Sequence, residues 1–198
     1  MSKTVTFGEI MMRLSAPGRQ RFAQVSSLGI TYGGGEANVS VALAQLGMPV
    51  AHVTVFPDND LGKAAAAAFQ KTGIDTTHFL YQAGRLGLYF LETGESIRPS
   101  RIIYDRYESA FARLDPTDFN WENILQGAGW FHWTGITPAV SASAATACAE
   151  AIQTARRLGL TVSADVNYRR VLWQYGKKAG EIMPALVEGC DEIGRAHV

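Results

Sequence analysis

The chain has 198 residues, of which 47% are hydrophobic and 18% are charged, a composition typical of a globular protein with one sizeable core. Eighteen Lys and Arg residues balance eighteen Asp and Glu residues. No overall field therefore favours nucleic acid or an anionic membrane, and we expect neither as a partner. No apolar run could span a bilayer and no signal peptide is evident, so we expect a cytoplasmic protein.

The two cysteines, Cys148 and Cys190, are far apart in the sequence and have no His or Cys neighbours at metal-ligand spacing. Such cysteines are typical of free thiols in a reducing compartment. The sequence accordingly predicts neither a disulfide nor a metal site.

The first predicted strand, Thr4 to Phe7, ends at Gly8 and is not followed by the G-x-G-x-x-G turn of a dinucleotide-binding fold. The chain instead stays extended through Leu14. This argues against an oxidoreductase that uses a nicotinamide or a flavin. Residues 15–31 contain Pro17, Gly18 and Gly29 among short apolar pieces, which predicts a small β excursion.

A glycine triplet follows this excursion, Gly33-Gly34-Gly35, and leads through Glu36-Ala37-Asn38 into a helix predicted over 39–46. Glycines permit positive φ and let a ligand approach main-chain N–H groups. The N-terminus of the helix would favour an anion or a hydroxyl-rich ligand. A loop that needs only flexibility explains the triplet equally well.

Alternating strands and helices come next. Residues 51–56 form a buried-type strand, and Asp60 is predicted to cap a helix that runs to Lys71, which together indicate a parallel sheet. The alternation then stops. Three short strand patterns at 78–81, 87–92 and 101–104 have no helices between them, and we expect them to form a small second sheet with the earlier excursion.

The remaining elements return to the central sheet. A short helix at 121–126, a strand at 130–134, a long helix at about 143–158 and a strand at 160–165 are predicted in that order. The last strand places Asp165, Asn167 and Arg169 at its carboxyl end. In open parallel sheets ligands bind at that end.

The sequence resembles the ribokinase-like, or PfkB, family of carbohydrate kinases. The glycine stretch 33–38 and the later segment 58–62 resemble that family's first signature region, although many members have a small residue or Pro in place of Glu36. In this position the sequence resembles the branch of 2-keto-3-deoxygluconate kinases. Further segments resemble the same branch, and the resemblance extends over about residues 3–191; these segments are 6–15, 87–90, 103–106, 131–136 and 165–169.

The resemblance implies one ribokinase-like α/β domain over 1–198, with a mostly parallel central sheet and helices on both of its faces. It also implies that the second sheet is a lid built from segments at about 11–33 and 76–108, called here the lid sheet. In this family lid sheets often pair between subunits. We therefore expect the full-length protein to be a homo-oligomer.

The resemblance also assigns site residues. Gly33, Gly34 and Asn38 are expected to hold sugar hydroxyls, and Tyr89 and Tyr104 to line the pocket.

Arg106 and Arg169 are expected to receive the carboxylate of a sugar acid, which an Arg fork meets with two parallel hydrogen bonds. Taken singly, Arg106 could equally be an exposed surface charge, whereas a binding role is favoured for Arg169 by its position at a strand's carboxyl end beside Asn167. On the nucleotide side, Asp165 would organise its loop, and Asn167 would lie near the phosphates and the metal.

The implied activity is ATP- and Mg²⁺-dependent phosphorylation of 2-keto-3-deoxygluconate to its 6-phosphate. The alternatives are another sugar kinase of the family, such as a fructokinase, and an inactive sugar-binding fragment. The family's catalytic Asp lies in a Gly-Ala-Gly-Asp motif, whereas residues 127–130 read Gly-Ala-Gly-Trp and lack the carboxylate. We expect that Asp beyond residue 198, and hence no catalytic residue and no activity in these 198 residues.

Residues 192–198, Glu-Ile-Gly-Arg-Ala-His-Val, do not resemble the buried strand expected at this point of the family. They can be back-translated as GAG-ATC-GGA-AGA-GCA-CAC-GTC, which matches a common sequencing-library adapter. We therefore predict that these seven residues are not native. The source DNA would decide this, because a contiguous natural reading frame through those codons would contradict the prediction.

Overall fold

A computed structural model describes residues 2–194. It contains ten strands in that range: β1 Lys3–Phe7, β2 Met11–Ser15, β3 Gly29–Gly33, β4 Val50–Pro57, β5 Phe79–Gln82, β6 Leu88–Glu92, β7 Arg101–Asp105, β8 Ala128–Thr134, β9 Thr161–Asp165 and β10 Glu192–Gly194. The α-helices of the same range are α1 Gly35–Gln45, α2 Asp60–Gln70, α3 Trp121–Leu125, α4 Thr137–Val140, α5 Ala142–Arg157 and α6 Ala179–Val187.

The central sheet has six strands in the order β10-β9-β8-β1-β4-β5, and every neighbouring pair is parallel. All eight residues of β4 are buried. Their side chains alternate between the two faces of the sheet, as the period of a strand requires. Ala51, Val53 and Val55 join a core with α5, whereas Val50 and Phe56 join a core with α1 and α2. Helices therefore cover both faces, which confirms the predicted fold class.

Two helix starts differ from the sequence prediction. Helix α1 begins at Gly35, four residues before the predicted 39, so Glu36 and Asn38 belong to its first turn. In α2 the cap is Asn59 and not Asp60, because the Asn59 side chain accepts a hydrogen bond from the backbone N–H of Gly62 at 3.0 Å. Asp60 is instead the first helical residue, where its negative charge is favoured by the helix dipole.

The lid sheet has four strands in the order β3-β2-β6-β7. Strands β3 and β7 run antiparallel to their neighbours, and β2 runs parallel to β6. The predicted segment 11–33 supplies β2 and β3. The lid sheet is entered twice from the carboxyl edge of the central sheet, because β2 follows β1 and β6 follows β5 in the chain.

The assignment of residues 78–81 to the lid sheet was wrong. They overlap β5, which pairs in parallel with β4 in the central sheet. The physical reason is that α2 forms the crossover between β4 and β5, which returns the chain in the same direction. Phe79 is also buried, and its ring lies 5.2 Å from that of Phe56. The second lid segment therefore contributes β6 and β7 only.

The last described residues, Glu192–Gly194, form β10 and pair in parallel with β9 at the edge of the central sheet. Residues 195–198 lie outside the described part of the chain. The non-native origin of residues 192–198 stays a prediction. Among the described helices, none is long and apolar enough to cross a bilayer.

Candidate functional site

A cavity of about 290 Å³ lies beside the end of β7 and the loop that follows β9. Tyr104 belongs to β7, and Arg106 follows that strand directly. The cavity is thus shared between the lid sheet and the carboxyl side of the central sheet, where ligands of open parallel sheets bind. Its lining residues are Tyr104, Arg106, Tyr107, Val140, Val171, Leu172, Gln174 and Tyr175.

Arg106 is buried and paired. Its side chain is 7% exposed, and that of its partner Glu9 is 2% exposed. Glu9 Oε2 accepts hydrogen bonds from Arg106 Nε at 2.8 Å and from Nη2 at 2.5 Å. Arg106 is therefore not the solvated surface charge that was the alternative interpretation, and its orientation is fixed by a carboxylate that the sequence prediction did not include.

The two predicted pocket tyrosines are neighbours. Tyr89 and Tyr104 are paired directly across β6 and β7, and their ring centroids are 6.0 Å apart. Tyr104 lines the cavity and is 41% exposed. Across the cavity, the Tyr175 hydroxyl donates a hydrogen bond to the Pro138 carbonyl at 2.7 Å, and burial raises the pKa of Tyr175 to about 12.

Close packing, and not a positive φ, explains the need for glycine in the stretch 33–35. None of Gly33, Gly34 and Gly35 has a positive φ. Gly34 is the N-cap of α1, and a Cβ on it would overlap the Glu9 carbonyl oxygen. Glycine is required there because two backbone segments touch. Gly35 is exposed, and a Cβ on it would lie 4.0 Å from Asn167 Nδ2.

Asn38 adjoins Gly33 and Gly34, since its backbone N–H donates a hydrogen bond to the Gly34 carbonyl at 2.8 Å, but it lies apart from Arg106. Its side chain is exposed and lines a different cavity of about 330 Å³, which Tyr32 of β3 and Phe69 of α2 also line. Asn38 does not line the cavity that contains Arg106. Its contact with sugar hydroxyls stays a prediction.

The loop after β9 contains Asp165, Asn167 and Arg169, and it brings the Asn167 side chain close to Gly35 at the start of α1. Asp165 Oδ1 accepts a hydrogen bond from the Asn167 N–H at 3.1 Å, and Asn167 adopts a φ of 33°. The buried Asn167 Oδ1 has no hydrogen-bond partner within residues 2–194. Arg169 is half-buried and does not itself line the cavity, although Val171 and Leu172, which follow it closely in the chain, do.

Glu36 is a second buried carboxylate close to Arg106. It is 1% exposed, and its Oε1 accepts hydrogen bonds from the hydroxyls of Thr134 and Thr137 at 2.8 and 2.7 Å. Burial raises the pKa of Glu36, against the hydrogen bond from Thr137 and the positive charge of Arg106, which lower it. The sequence singled out Glu36 only as a departure from a signature and did not predict this environment.

Sequence reasoning missed Glu9, Tyr107 and Tyr175. Glu9 carried a usable signal, because it is a charged residue two positions after the end of a buried strand, at the carboxyl edge of the sheet. Tyr107 is 70% exposed and follows Arg106 in the chain, so its position beside the predicted arginine was also a signal. No local pattern marked Tyr175.

The parallel sheet, the lid sheet and a cavity with an oriented arginine define an α/β protein with a candidate site for a small polar molecule at the carboxyl edge of its sheet. The sequence profile of the pfkB family carbohydrate kinases matches residues 1–191. The chain belongs to this family, as the resemblance predicted.

Three similar proteins carry names that bear on the substrate. A 2-dehydro-3-deoxygluconokinase structure from Thermotoga maritima superposes with a TM-score of 0.94 at 44% identity, over 98% of this chain and 60% of that one. A 2-dehydro-3-deoxygalactonokinase from Haloferax volcanii is 36% identical, over 87% of this chain and 54% of its own length. A probable fructokinase from Arabidopsis thaliana is 30% identical, over 81% of this chain and 46% of its own. The chain thus spans about half the length of the curated relatives it matches.

Proposed function

We propose that the full-length protein phosphorylates 2-keto-3-deoxygluconate with ATP, at the terminal hydroxyl, giving the 6-phosphate. The observation that carries the proposal is the buried, oriented Arg106 in the wall of the cavity. Membership of a carbohydrate kinase family supplies the reaction class. The name of the Thermotoga maritima neighbour supports the sugar acid as substrate.

In this proposal the substrate carboxylate binds Arg106 and Arg169, since a guanidinium can meet a carboxylate with two parallel charge-assisted hydrogen bonds. Tyr89 and Tyr104 pack against the carbon chain. Gly33, Gly34 and Asn38 hold hydroxyls at the start of α1. Phosphoryl transfer depends mainly on positioning, so these contacts would align the terminal hydroxyl with the γ-phosphate.

The galactonate form is the nearest variant of this substrate. The Haloferax volcanii relative is named for it. The two sugar acids share the 2-keto group and the carboxylate and differ in the configuration of one hydroxyl. Arg106 and Arg169 would serve both, so discrimination would depend on the hydroxyl contacts at the start of α1.

ATP and Mg²⁺ are part of the proposal through family membership. Within residues 2–194, no group of three His, Cys, Asp or Glu side chains could hold a metal ion. The described residues therefore do not by themselves form a metal site. On the nucleotide side they offer the loop of Asp165 and Asn167, whose buried Oδ1 has no protein partner in the described range.

Calorimetric titration of the 198-residue chain with 2-keto-3-deoxygluconate and with D-fructose tests the substrate proposal. We expect the sugar acid to bind, and Arg106→Ala to weaken it by about tenfold or more, the effect of losing a charge-assisted bidentate contact. Tighter binding of fructose would favour the fructokinase alternative. Binding of neither sugar would favour the inactive fragment and overturn the proposal.

Activity belongs to the full-length protein in this proposal. In the 198-residue chain, where we expect the catalytic Asp of the Gly-Ala-Gly-Asp motif to be missing, ADP release in the presence of the sugar acid should not exceed the no-enzyme rate. Sugar-dependent ADP release by this chain would contradict that expectation.

We also propose that the lid sheet pairs with the lid sheet of a second copy. Ile102 and Ile103 of β7 are 47% and 42% exposed, and Ile103 lines an open apolar groove with Phe22 and Phe90. An exposed apolar groove on one face of a sheet favours association. We propose in addition that the protein is cytoplasmic, because Cys148 and Cys190 are both free thiols, as is typical of a reducing compartment.

A further inference from the structure

Glu9 lies in the three-residue connection between β1 of the central sheet and β2 of the lid sheet. Its carboxylate contacts residues 97 and 100 positions later in the sequence, Arg106 and Ser109. One side chain therefore links the hinge between the two sheets to the segment that follows β7.

The contacts of Glu9 use both carboxylate oxygens. Oε2 accepts from Arg106 Nε and Nη2, and Oε1 accepts from the Ser109 hydroxyl at 2.5 Å. Ser109 Oγ in turn accepts a hydrogen bond from the Ala112 N–H at 3.1 Å. A Cβ on Gly87 would overlap Glu9 Oε1, so the space around this oxygen is filled. The carboxylate is thus held in one position by Arg106, by Ser109 and by Gly87, which directly precedes β6.

The contact with Arg106 uses one particular edge of the guanidinium. A guanidinium has two bidentate edges, one formed by Nε and Nη2 and the other by the two terminal nitrogens. Glu9 occupies the first edge. Since Arg106 also lines the cavity, the edge formed by Nη1 and Nη2 remains for a ligand there.

We propose that Glu9 is a positioning and specificity-determining residue: by holding the Nε edge of Arg106, it presents the Nη1 and Nη2 edge to the carboxylate of the sugar acid. This inference rests on the proposed function. Glu9 does not touch the substrate and acts only through Arg106.

The charge of the pair follows from the same geometry. The buried Glu9 carboxylate neutralises the buried Arg106 guanidinium, so the pair recognises the substrate carboxylate through the direction of its N–H groups more than through net charge. A neutral sugar has no carboxylate to accept two parallel hydrogen bonds from Nη1 and Nη2 of Arg106. Loss of Glu9 should therefore reduce binding of the sugar acid and leave binding of a neutral sugar nearly unchanged.

The first test is calorimetry of the 198-residue chain and its variants with 2-keto-3-deoxygluconate and with D-fructose. Glu9→Ala should weaken the sugar acid by about tenfold, the order expected for one charge-assisted contact, and change fructose by less than about twofold. Glu92→Ala is the matched control, because Glu92 also forms a largely buried pair with an arginine, Arg98, at 3.0 Å in the lid sheet but does not line the cavity. It should leave both sugars unchanged. In an Arg106→Ala background, Glu9→Ala should have no further effect on the sugar acid.

The outcomes separate the two proposals. If the wild-type chain does not bind the sugar acid, the proposed function fails and this inference fails with it. If Arg106→Ala weakens the sugar acid but Glu9→Ala does not, only the inference about Glu9 is overturned. A loss of the same size for both sugars in Glu9→Ala would also overturn it, because Glu9 would then act as a structural residue only.

A second test uses the wild-type chain and does not depend on the folding of a variant. In the ¹⁵N NMR spectrum of arginine-labelled protein, the Arg106 Nε–H signal is identified by its loss in Arg106→Lys. It should exchange slowly with solvent, because Glu9 accepts its proton, and it should stay protected when the sugar acid is added. Fast exchange in the free chain, or loss of protection on addition of the sugar acid, would overturn the inference.

Discussion

The hydroxyl of Thr137 donates a hydrogen bond to Glu36 Oε1 at 2.7 Å, across a sequence separation of 101 residues. The same oxygen accepts the backbone N–H of Thr134 at 3.2 Å. Glu36 is in the first turn of α1, Thr134 ends β8 and Thr137 begins α4. A single buried carboxylate thus fixes the start of α1 against two elements at the carboxyl edge of the sheet.

Replacing Glu36 tests this connection. Glu36→Ala should lower the free energy of unfolding by about 2 to 4 kcal/mol, because two buried hydroxyls lose their acceptor and a cavity forms. Glu36→Gln keeps a side-chain oxygen at the same distance from the backbone and should lower the free energy of unfolding by about 1 kcal/mol or less. Urea unfolding measures both. Equal losses for the two variants would show that the hydrogen bonds do not matter.

The pH dependence of the Glu36 variants has a definite sign. Burial raises the pKa of Glu36 above 4.5, so its contribution to stability is present below that pH and is lost as the pH rises through the folded-state pKa. The wild type should therefore lose stability relative to Glu36→Gln as the pH rises. A difference in the free energy of unfolding between the two proteins that stays constant as the pH rises from 4.5 would contradict the raised pKa of Glu36.

His52 gives an opposite pH dependence. It is fully buried, its Nε2 donates to the Gly8 carbonyl at 3.1 Å, and its Nδ1 accepts from the Thr6 hydroxyl at 2.6 Å. Burial lowers the pKa of His52 from 6.5 to about 3. As the pH falls, His52 takes up a proton in the unfolded chain before it does so in the folded protein. The stability that neutral His52 contributes is therefore present above pH 6.5 and is lost as the pH falls toward 3.

The measurement is urea unfolding of the wild type and of His52→Gln at several pH values. Between pH 7 and pH 5 the wild type should lose about 2 kcal/mol more than the variant, which is about 1.4 kcal/mol for each pH unit below the pKa of the unfolded chain. His78→Gln serves as control, because His78 is less buried and should alter the slope less. Parallel pH profiles for the wild type and His52→Gln would contradict the assignment.

Gly34 should not tolerate a side chain. A Cβ there would overlap the Glu9 carbonyl oxygen, a backbone atom that cannot move aside cheaply, so Gly34→Ala should cost about 2 kcal/mol of stability. Gly180 in α6 is the matched control, because a Cβ on it meets no atom within 4 Å. Gly180→Ala should stabilise by about 0.5 to 1 kcal/mol through helix propensity. Thermal unfolding compares the two, and equal effects would contradict close packing at Gly34.

The sequence predicted much of the fold because its signals are local. The buried strand at 51–56 and the helix after it predicted a parallel sheet, and the apolar run of β4 reflects burial on both faces. The error at β5 came from a stretch of four residues whose aromatic pattern fits either sheet. Only the position of α2 between β4 and β5 distinguishes them.

The site was harder to predict, because its defining contacts join distant residues. The pairing of Glu9 with Arg106 spans 97 residues and leaves no periodic trace in either segment. The family resemblance named Arg106 without its partner. Asn38, which the resemblance placed with the sugar, lines a different cavity, because the first turn of α1 turns its side chain toward Tyr32 and α2.

The proposed pairing of lid sheets predicts a change in mass. Ile103→Glu puts a charge into the apolar groove of β7, so it should convert a dimer to a monomer in sedimentation experiments at micromolar concentration. Ile97→Glu is the control, because Ile97 is 99% exposed in the loop between β6 and β7 and lies outside that groove. A monomeric wild-type chain, or a dimer that tolerates Ile103→Glu, would contradict the proposal for these residues.

Arg169 differs from Arg106 in carrying an uncompensated charge. It donates to the Tyr168 carbonyl at 3.2 Å, and within residues 2–194 it forms no ion pair with a carboxylate. Since Glu9 neutralises Arg106, Arg169 should supply most of the attraction for an anionic substrate. Arg169→Gln should therefore weaken 2-keto-3-deoxygluconate by about fivefold to tenfold at low salt and less at high salt, where exposed charges are screened.

The neighbouring Arg170 is the matched control for this prediction, because it carries the same charge but is exposed, whereas Arg169 is half-buried. Arg170→Gln removes the same charge one residue away and should change binding by less than about twofold, the small effect expected for a solvated charge. Calorimetry at two salt concentrations with both variants makes the comparison. Equal losses of affinity for the two variants would indicate that only the summed charge of the loop matters. A loss of affinity for Arg169→Gln that does not depend on salt would indicate a direct hydrogen bond to the substrate instead of long-range attraction.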